Sequence, residues 1–475
     1  MQRERRRAED RRQQHNAGGD YLKGFEEIGL NATMGGTGGA ATREEEGTPQ
    51  PGEKAPPMPT TDPDGRFVVL AIHTTAVVLG LATWFSATAV SDQLKARWGI
   101  EDTASGLLTS SVNIGFVVGA VLQSVLNAAD LVRPQMLYFV GCVGAAGWNA
   151  LVAAPVNFPA AVVLRFLTGA SLSLVYPPSL KLISTWFKYG RGVALGTIIG
   201  GLALGSALPH LIVGAGGVGD QWRIVTYSTS ILALISGAMV LAFVPTGPFP
   251  FTKAKFSLQT VPRLARNRGV VLATLGYCAH MWELYGLWTW FLALYTDYLE
   301  DGEAGLGGRT DELSRKRLAS LVTFGVVGIG IIGSVFVGWI ADAKIGRCNA
   351  SIASLAVSGT CAAAYGPLSG AGAPQGLLIP LALLWGSSAV AESAQYSAMA
   401  TELADQDTVG TALALQMALG FSVTVVGIFA IPLVQAATSW AWATVLLVPG
   451  PLLGIPIIVA LKISPDAAKM CGGKG

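Results

Sequence analysis

The chain has 475 residues, is 51% hydrophobic and only 13% charged, and carries a net charge of +2 with a mean hydropathy of +0.49. A soluble domain carries about 25% charged residues, so the composition argues against a soluble enzyme, and so small a net charge leaves no footprint for nucleic acid. The five cysteines, Cys142, Cys278, Cys348, Cys361 and Cys471, include no CxxC pair and read as small apolar filler, so no metal site and no cofactor are expected.

Residues 1–66 form a compositional zone of their own. Met1 to Arg12 is dense in arginine but mixed with Glu4, Glu9 and Asp10, and glycine, threonine, proline and glutamate follow. No apolar core marks a secretory signal, and the acids argue against a transit peptide. The zone reads as a disordered cytosolic tail, which would keep the sequon at Asn31-Ala32-Thr33 away from glycosylation.

From Arg66 onward, stretches of about 20 mostly apolar residues follow one another, each long enough to cross roughly 30 Å of hydrocarbon as a helix. The pattern predicts spans over 67–90, 104–127, 135–154, 158–180, 191–214, 221–244, 270–296, 317–340, 348–368, 376–398, 408–432 and 438–461. These are twelve spans in two sets of six, an N-terminal bundle over 67–245 and a C-terminal bundle over 270–462, with a linker over 246–269 and a C-terminal tail over 463–475. The linker holds Lys253, Lys255, Arg263, Arg266 and Arg268. Bases recur in the turns at Arg133, at Lys188 and Arg191, and at Lys344 and Arg347. By the positive-inside rule the linker, these turns and both termini are cytosolic. The mixed charges between Asp297 and Arg317 depart from that rule on the outer side.

Ionisable groups inside spans are costly and mark functional candidates. Arg165 lies in the fourth span, with a carbonyl, substrate or Asn113 as candidate partners and a purely structural brace as the alternative. Tyr176 precedes Pro177-Pro178, which break that helix and are expected to line a cavity or only to kink the backbone. The fifth span carries Gly192, Gly196, Gly200, Gly201 and Gly205, a pattern for close helix contact. The seventh contains His280, Trp282, Glu283 and Tyr285; His280 and Glu283 sit 10 and 13 residues into it, near the midplane and on one face. They are expected to serve substrate or proton coupling together; a structural contact between helices is the alternative. Glu392 and Gln395 fall toward the cytosolic end of the tenth span, where a snorkelling or gate-side role and a site role are both open, while His73 and His210 read as interfacial.

One turn occurs twice. Asp130 and Arg133 follow the second span, and Gly338, Asp342, Gly346 and Arg347 follow the eighth, six spans later. With two six-helix halves and a basic linker, these turns resemble the major facilitator superfamily, whose turn reads G-x-x-x-D-R-x-G-R-R. Here the gap from Asp342 to Gly346 is one residue longer, and Leu126 stands where the first turn should have its glycine. Arg165 and Gly169 fit the family's fourth-helix pattern. A fainter likeness points to the cyanate and nitrate/nitrite permease branch, against which the second and eighth spans lack an arginine in their apolar cores.

The resemblance implies an all-α polytopic membrane protein, helix five packed on helix eight, and a secondary active transporter working by alternating access. Asp130, Arg133, Gly338, Asp342, Gly346 and Arg347 become gating candidates. His280, Glu283, Arg165, Trp282, Tyr285 and Tyr176 become candidates for substrate or proton. The expected partners are a small solute (an organic anion or amphipathic metabolite), a proton as coupling ion and the lipid bilayer, with the protein as a monomer in symport or antiport. A plasma membrane is expected, with an organellar one left open. A transporter-like receptor and an uncoupled facilitator are the competing readings; no metal-ligand spacing or nucleophile elbow supports a membrane enzyme.

Overall fold

The computed structural model describes residues 61–126, 131–188, 190–216, 222–249, 257–300, 311–405, 407–473 and 475. Nearly all of the expected N-terminal tail lies outside them, as does Asp130. Among the described residues the regular structure is helical, with no strand. Helices suit this composition because each satisfies its backbone within one segment, the requirement of a hydrocarbon solvent.

The crossings in chain order are α1 (Arg66–Leu81, resumed at Ser91–Trp98), α2 (Asp102–Val125), α3 (Pro134–Leu151), α4 (Phe158–Leu172, resumed at Tyr176–Ser184), α5 (Arg191–Gly214) and α6 (Trp222–Phe243). The second set is α7 (Arg268–Glu300), α8 (Glu312–Gly328, resumed at Gly330–Ile340), α9 (Gly346–Gly370), α10 (Gln375–Ala391, resumed at Ser393–Leu403), α11 (Val409–Ala437) and α12 (Trp440–Ala443, resumed at Pro449–Lys462). Eight stretches are long and apolar enough to cross a membrane by length and composition, and one of these, Glu312–Gly370, is two crossings folded back at Ala341–Ile345. The remaining three, α1, α3 and α7, are short, broken or diluted by polar residues. Leu122, Ile231, Ile332, Val426 and Leu433 are exposed apolar side chains, as a lipid-facing surface requires.

The two six-helix halves meet along α5 with α8 and α2 with α11. Close approach on the first seam depends on glycine. A Cβ at Gly200 would stand 2.7 Å from the Ile331 Cα, and one at Gly196 would stand 2.9 Å from the Ser334 carbonyl. Ser334 Oγ then donates to the Gly196 carbonyl at 2.9 Å. The α5–α8 contact expected from the glycine pattern is therefore present.

The two histidines read as interfacial are both enclosed by protein. His73 is wholly buried, its Nε2 3.2 Å from the Ser179 carbonyl in the second piece of α4. His210 is also buried. The tail after α12 is folded: short 3-10 turns at Pro465–Lys469 and Cys471–Gly473 flank a fully buried Met470.

Candidate functional site

A small cavity of about 30 Å³ lies between the halves. Such a volume holds roughly two water molecules. Tyr176, Ile199 and Leu202 line it from the N-terminal half, and His280, Tyr285, Trp288, Ser393, Ser397, Met417 and Phe421 from the C-terminal half. An aromatic cluster caps it. Phe421 packs against Phe116 at 4.8 Å, Tyr285 at 5.2 Å and Trp84 at 5.7 Å between ring centroids. Beyond that cluster, Asn113 Nδ2 donates to Thr424 Oγ1 across the α2–α11 seam at 2.8 Å.

Of the residues singled out in the sequence, His280, Tyr285 and Tyr176 come together here. Trp288 joins them, and its Nε1 is a buried donor without a partner among the described residues. Trp282, Glu283 and Arg165 do not line this cavity.

His280 and Glu283 share a helix face but not a hydrogen bond. Glu283 points into the C-terminal bundle, where Trp385 Nε1 donates to Oε1 at 2.8 Å and Ser358 Oγ donates to Oε2 at 2.9 Å. His280 Nδ1 lies 2.9 Å from Glu392 Oε1, and its Nε2 lies 2.8 Å from Ser393 Oγ. The expected His280–Glu283 pair is thus replaced by a His280–Glu392 pair. Glu392 is wholly buried at the break of α10 and faces inward to His280, which fits a site role rather than snorkelling. Tyr396 OH donates to Glu392 Oε2 at 3.0 Å. Trp282 Nε1 donates to the Leu446 carbonyl at 2.8 Å, which anchors α7 to α12.

Arg165 bonds entirely within the N-terminal half. Its Nη1 donates to the Thr83 carbonyl at 2.9 Å, Asn149 Oδ1 at 3.0 Å and Ser86 Oγ at 3.1 Å. Its Nη2 donates to the Trp84 carbonyl, and Nε to the Leu108 carbonyl at 3.4 Å. Thr83 and Trp84 sit in the break of α1, where the helix leaves its carbonyls without internal donors. The guanidinium fork supplies those donors, which ties α4 to the break. Asn113 is not a partner of Arg165; its Oδ1 accepts from Trp84 Nε1 at 3.0 Å.

The turn after α8 forms a second polar centre. Arg347 grips Glu402 through two bonds of 2.6 and 2.9 Å, and reaches Gln395 Oε1 at 3.1 Å and Asp342 Oδ1 at 3.3 Å. The Asp342 carboxylate also lies against the backbone of Gly192, at the start of α5 in the other half. A carboxylate at a helix N-terminus is stabilised by the unpaired amides there. Gly192 is required because any Cβ would collide with the Asp342 carboxylate, and Gly338 approaches the Gly192 carbonyl closely. Gly346 has φ +77°, a conformation that glycine adopts without strain. Cys471 N–H donates to Glu402 Oε2 at 3.0 Å, so the C-terminal tail reaches the same centre. In the first turn, Arg133 is exposed and has no ion pair among the described residues. Sequence reasoning does not single out Glu402, because the turn that follows it holds Asp405 and Asp407 and its partner Arg347 lies 55 positions away. No group of three metal-ligating side chains occurs among the described residues.

Comparison with known proteins agrees with this architecture. Residues 72–428 match the family model of the Major Facilitator Superfamily. A stretch of 201 residues is 28% identical to an uncharacterized transporter, ESBP6, of Saccharomyces cerevisiae, covering 39% of this chain and 27% of the yeast protein. The chain therefore aligns with about a quarter of that relative's length. The fold is similar to that of the proton:xylose symporter XylE solved with 6-bromo-6-deoxy-D-glucose, at a TM-score of 0.61 and 14% identity over 83% of this chain and 95% of that one. These similarities do not extend to the cyanate and nitrate/nitrite branch. The family match spans most of the chain, and with twelve crossings in two halves among the described residues it makes this protein a member of the Major Facilitator Superfamily, a multi-pass membrane transporter and not an enzyme.

Proposed function

We propose that the chain carries a small amphipathic solute by alternating access, coupled to protons through its C-terminal half. The observation that carries this reading is the cavity shared by both halves, lined by aromatic and apolar side chains with a few polar groups. Trp288 Nε1, buried and unpartnered among the described residues, is an open donor for a solute acceptor. An organic anion is the less favoured cargo. Arg165 spends its donors inside the N-terminal bundle, and His280 is the one basic side chain lining the cavity.

The Asp342–Gly192 contact joins the halves at the end bearing the basic turns, and Arg347 holds Asp342 in position. In this reading it acts as a latch that separates when the halves rock. A latch of one charge-assisted bond contributes roughly 1–2 kcal/mol, enough to shift a two-state equilibrium about tenfold. The Asp130 turn would be its counterpart, and the basic turns with both termini would face the cytosol, in a plasma membrane by preference.

A ligand screen by thermal shift tests the cargo, since any solute that binds the native state raises its melting temperature. Uptake of the hits by proteoliposomes, with and without a pH gradient, tests the coupling. Gradient-driven accumulation is expected. Flux indifferent to the gradient removes proton coupling, and binding without flux favours a receptor.

A further inference from the structure

We infer that the proton site of this carrier is Glu392, reached from the central cavity through Ser393 and His280, and that Glu283 is a positioning residue instead. The inference rests on the proton-coupled reading above for its role in transport.

Three observations converge on Glu392. It is wholly buried, and its two carboxyl oxygens meet different groups: Oε1 faces His280 Nδ1 at 2.9 Å and Oε2 accepts from Tyr396 OH at 3.0 Å. Other ionisable groups around this pair are Tyr277 and Glu283 on α7, Tyr176 on α4 and Cys348 on α9, with no lysine or arginine bonded to Glu392 among the described residues. Arg347 is one layer away, spent on Glu402 and on Gln395. A carboxylate at this depth is costly without a cation, so the site favours binding a proton.

Second, His280 has both ring nitrogens engaged, and they face opposite environments. Nδ1 meets the carboxyl, while Nε2 lies 2.8 Å from Ser393 Oγ. Ser393 and His280 both line the cavity, whereas Glu392 does not. The imidazole therefore lies between cavity and carboxyl, as a relay requires. A hydrated proton (H3O⁺) in the cavity passes its proton to Ser393 Oγ, leaving neutral water, as the serine passes its own to His280 Nε2. Nδ1 then releases its proton to Glu392 Oε1, forming the carboxylic O–H. The imidazole ends as the other neutral tautomer, and the pair changes by one charge.

Third, Glu392 occupies the break in α10. The first piece ends at Ala391, the second starts at Ser393, and Gln395 N–H bonds back to the Glu392 carbonyl at 2.9 Å. Loading or unloading the carboxyl changes its hold on His280 in α7 and on Tyr396 in the second piece, so the charge change acts at a bend. Glu283 has no such route: its partners Trp385 and Ser358 lie inside the bundle, and it is absent from the cavity wall.

The test is a pH titration of the purified full chain in lipid bilayers by infrared difference spectroscopy, which needs no substrate. A protonated-carboxyl C=O band that titrates in the unmodified protein is expected to vanish in Glu392→Gln and to persist in Glu283→Gln. Tyr396→Phe, which removes one donor but keeps the acid, is expected to shift the band's frequency; it serves if Glu392→Gln does not fold. A band unaffected by Tyr396→Phe, a band lost in Glu283→Gln but kept in Glu392→Gln, or no titrating band at all would overturn the assignment. A band assigned to Glu392 together with flux indifferent to a pH gradient would uphold the site and overturn the coupling reading.

Discussion

Substituting Arg165 by lysine separates a brace from a substrate ligand. The guanidinium now serves five acceptors: the Thr83, Trp84 and Leu108 carbonyls, Ser86 Oγ and Asn149 Oδ1. A lysine ammonium keeps the charge but has three donors at one point, so at least two of the five bonds from this side chain are lost. Each lost bond costs about 1–2 kcal/mol in a protein interior, and nearer 0.6 kcal/mol in a membrane, where the reference state also finds partners. The expected loss is therefore about 1–3 kcal/mol, seen as a melting temperature several degrees lower in detergent. Arg165→Met, which removes all five bonds although the Thr83 and Leu108 carbonyls and Asn149 Oδ1 keep serine donors, should melt lower still. Because the side chain does not line the cavity, solutes found by the ligand screen should bind the lysine variant with unchanged Kd. An Arg165→Lys protein that melts like the parent but no longer binds those solutes would refute the brace and restore Arg165 to the substrate site.

Other expectations follow from the same geometry. Trp288→Phe removes the unpartnered donor and should weaken solute binding about tenfold, near 1.4 kcal/mol, while melting stays unchanged. Gly200→Leu forces a side chain against Ile331 across the α5–α8 seam and should destabilise by about 1–3 kcal/mol, with a larger distance between spin labels on the two helices. Arg347→Ala releases Glu402 and Asp342, so the native thiol of Cys471, whose N–H bonds Glu402, should react faster with a maleimide; an unchanged rate would count against the latch. Met470→Asp puts a charge where a wholly buried methionine packs and should lower the melting temperature clearly, through a cost of about 2–5 kcal/mol.

Much of the fold was legible because lipid imposes a simple rule on the chain. Twenty apolar residues in a row cross as a helix, and the predicted spans lie close to the observed crossings. The turn after α8 and the glycines of α5 were legible for equally local reasons: an Asp near a helix end, a glycine where φ is +77°, and small residues one turn apart each leave a mark in a few neighbouring letters. Proline and glycine also flagged the break in α4, where Pro177 and Pro178 open the second piece.

The site was legible only in part. Sequence spacing put His280 and Glu283 on one face, and that is true of the helix, but what each faces depends on the rotation of α7 against α9, α10 and α11. In a soluble helix an apolar stripe reveals the buried side. These helices are apolar on every side, so the pattern carries little record of which face meets lipid and which meets a partner. Glu392 shows the consequence: its distance from the predicted helix end suggested a membrane surface, while a break in α10 and the arrival of His280 from 112 positions away made it a buried partner. Arg165 shows it again, since the acceptors that hold it come from a break in α1 that no proline announces. The sequence by itself determined the helical crossings and the glycine seam, because those follow from local composition in a lipid solvent. The tertiary structure alone decided which ionisable groups face each other and which face the cavity, because pairing across helices depends on rotations and breaks that a uniformly apolar pattern does not encode.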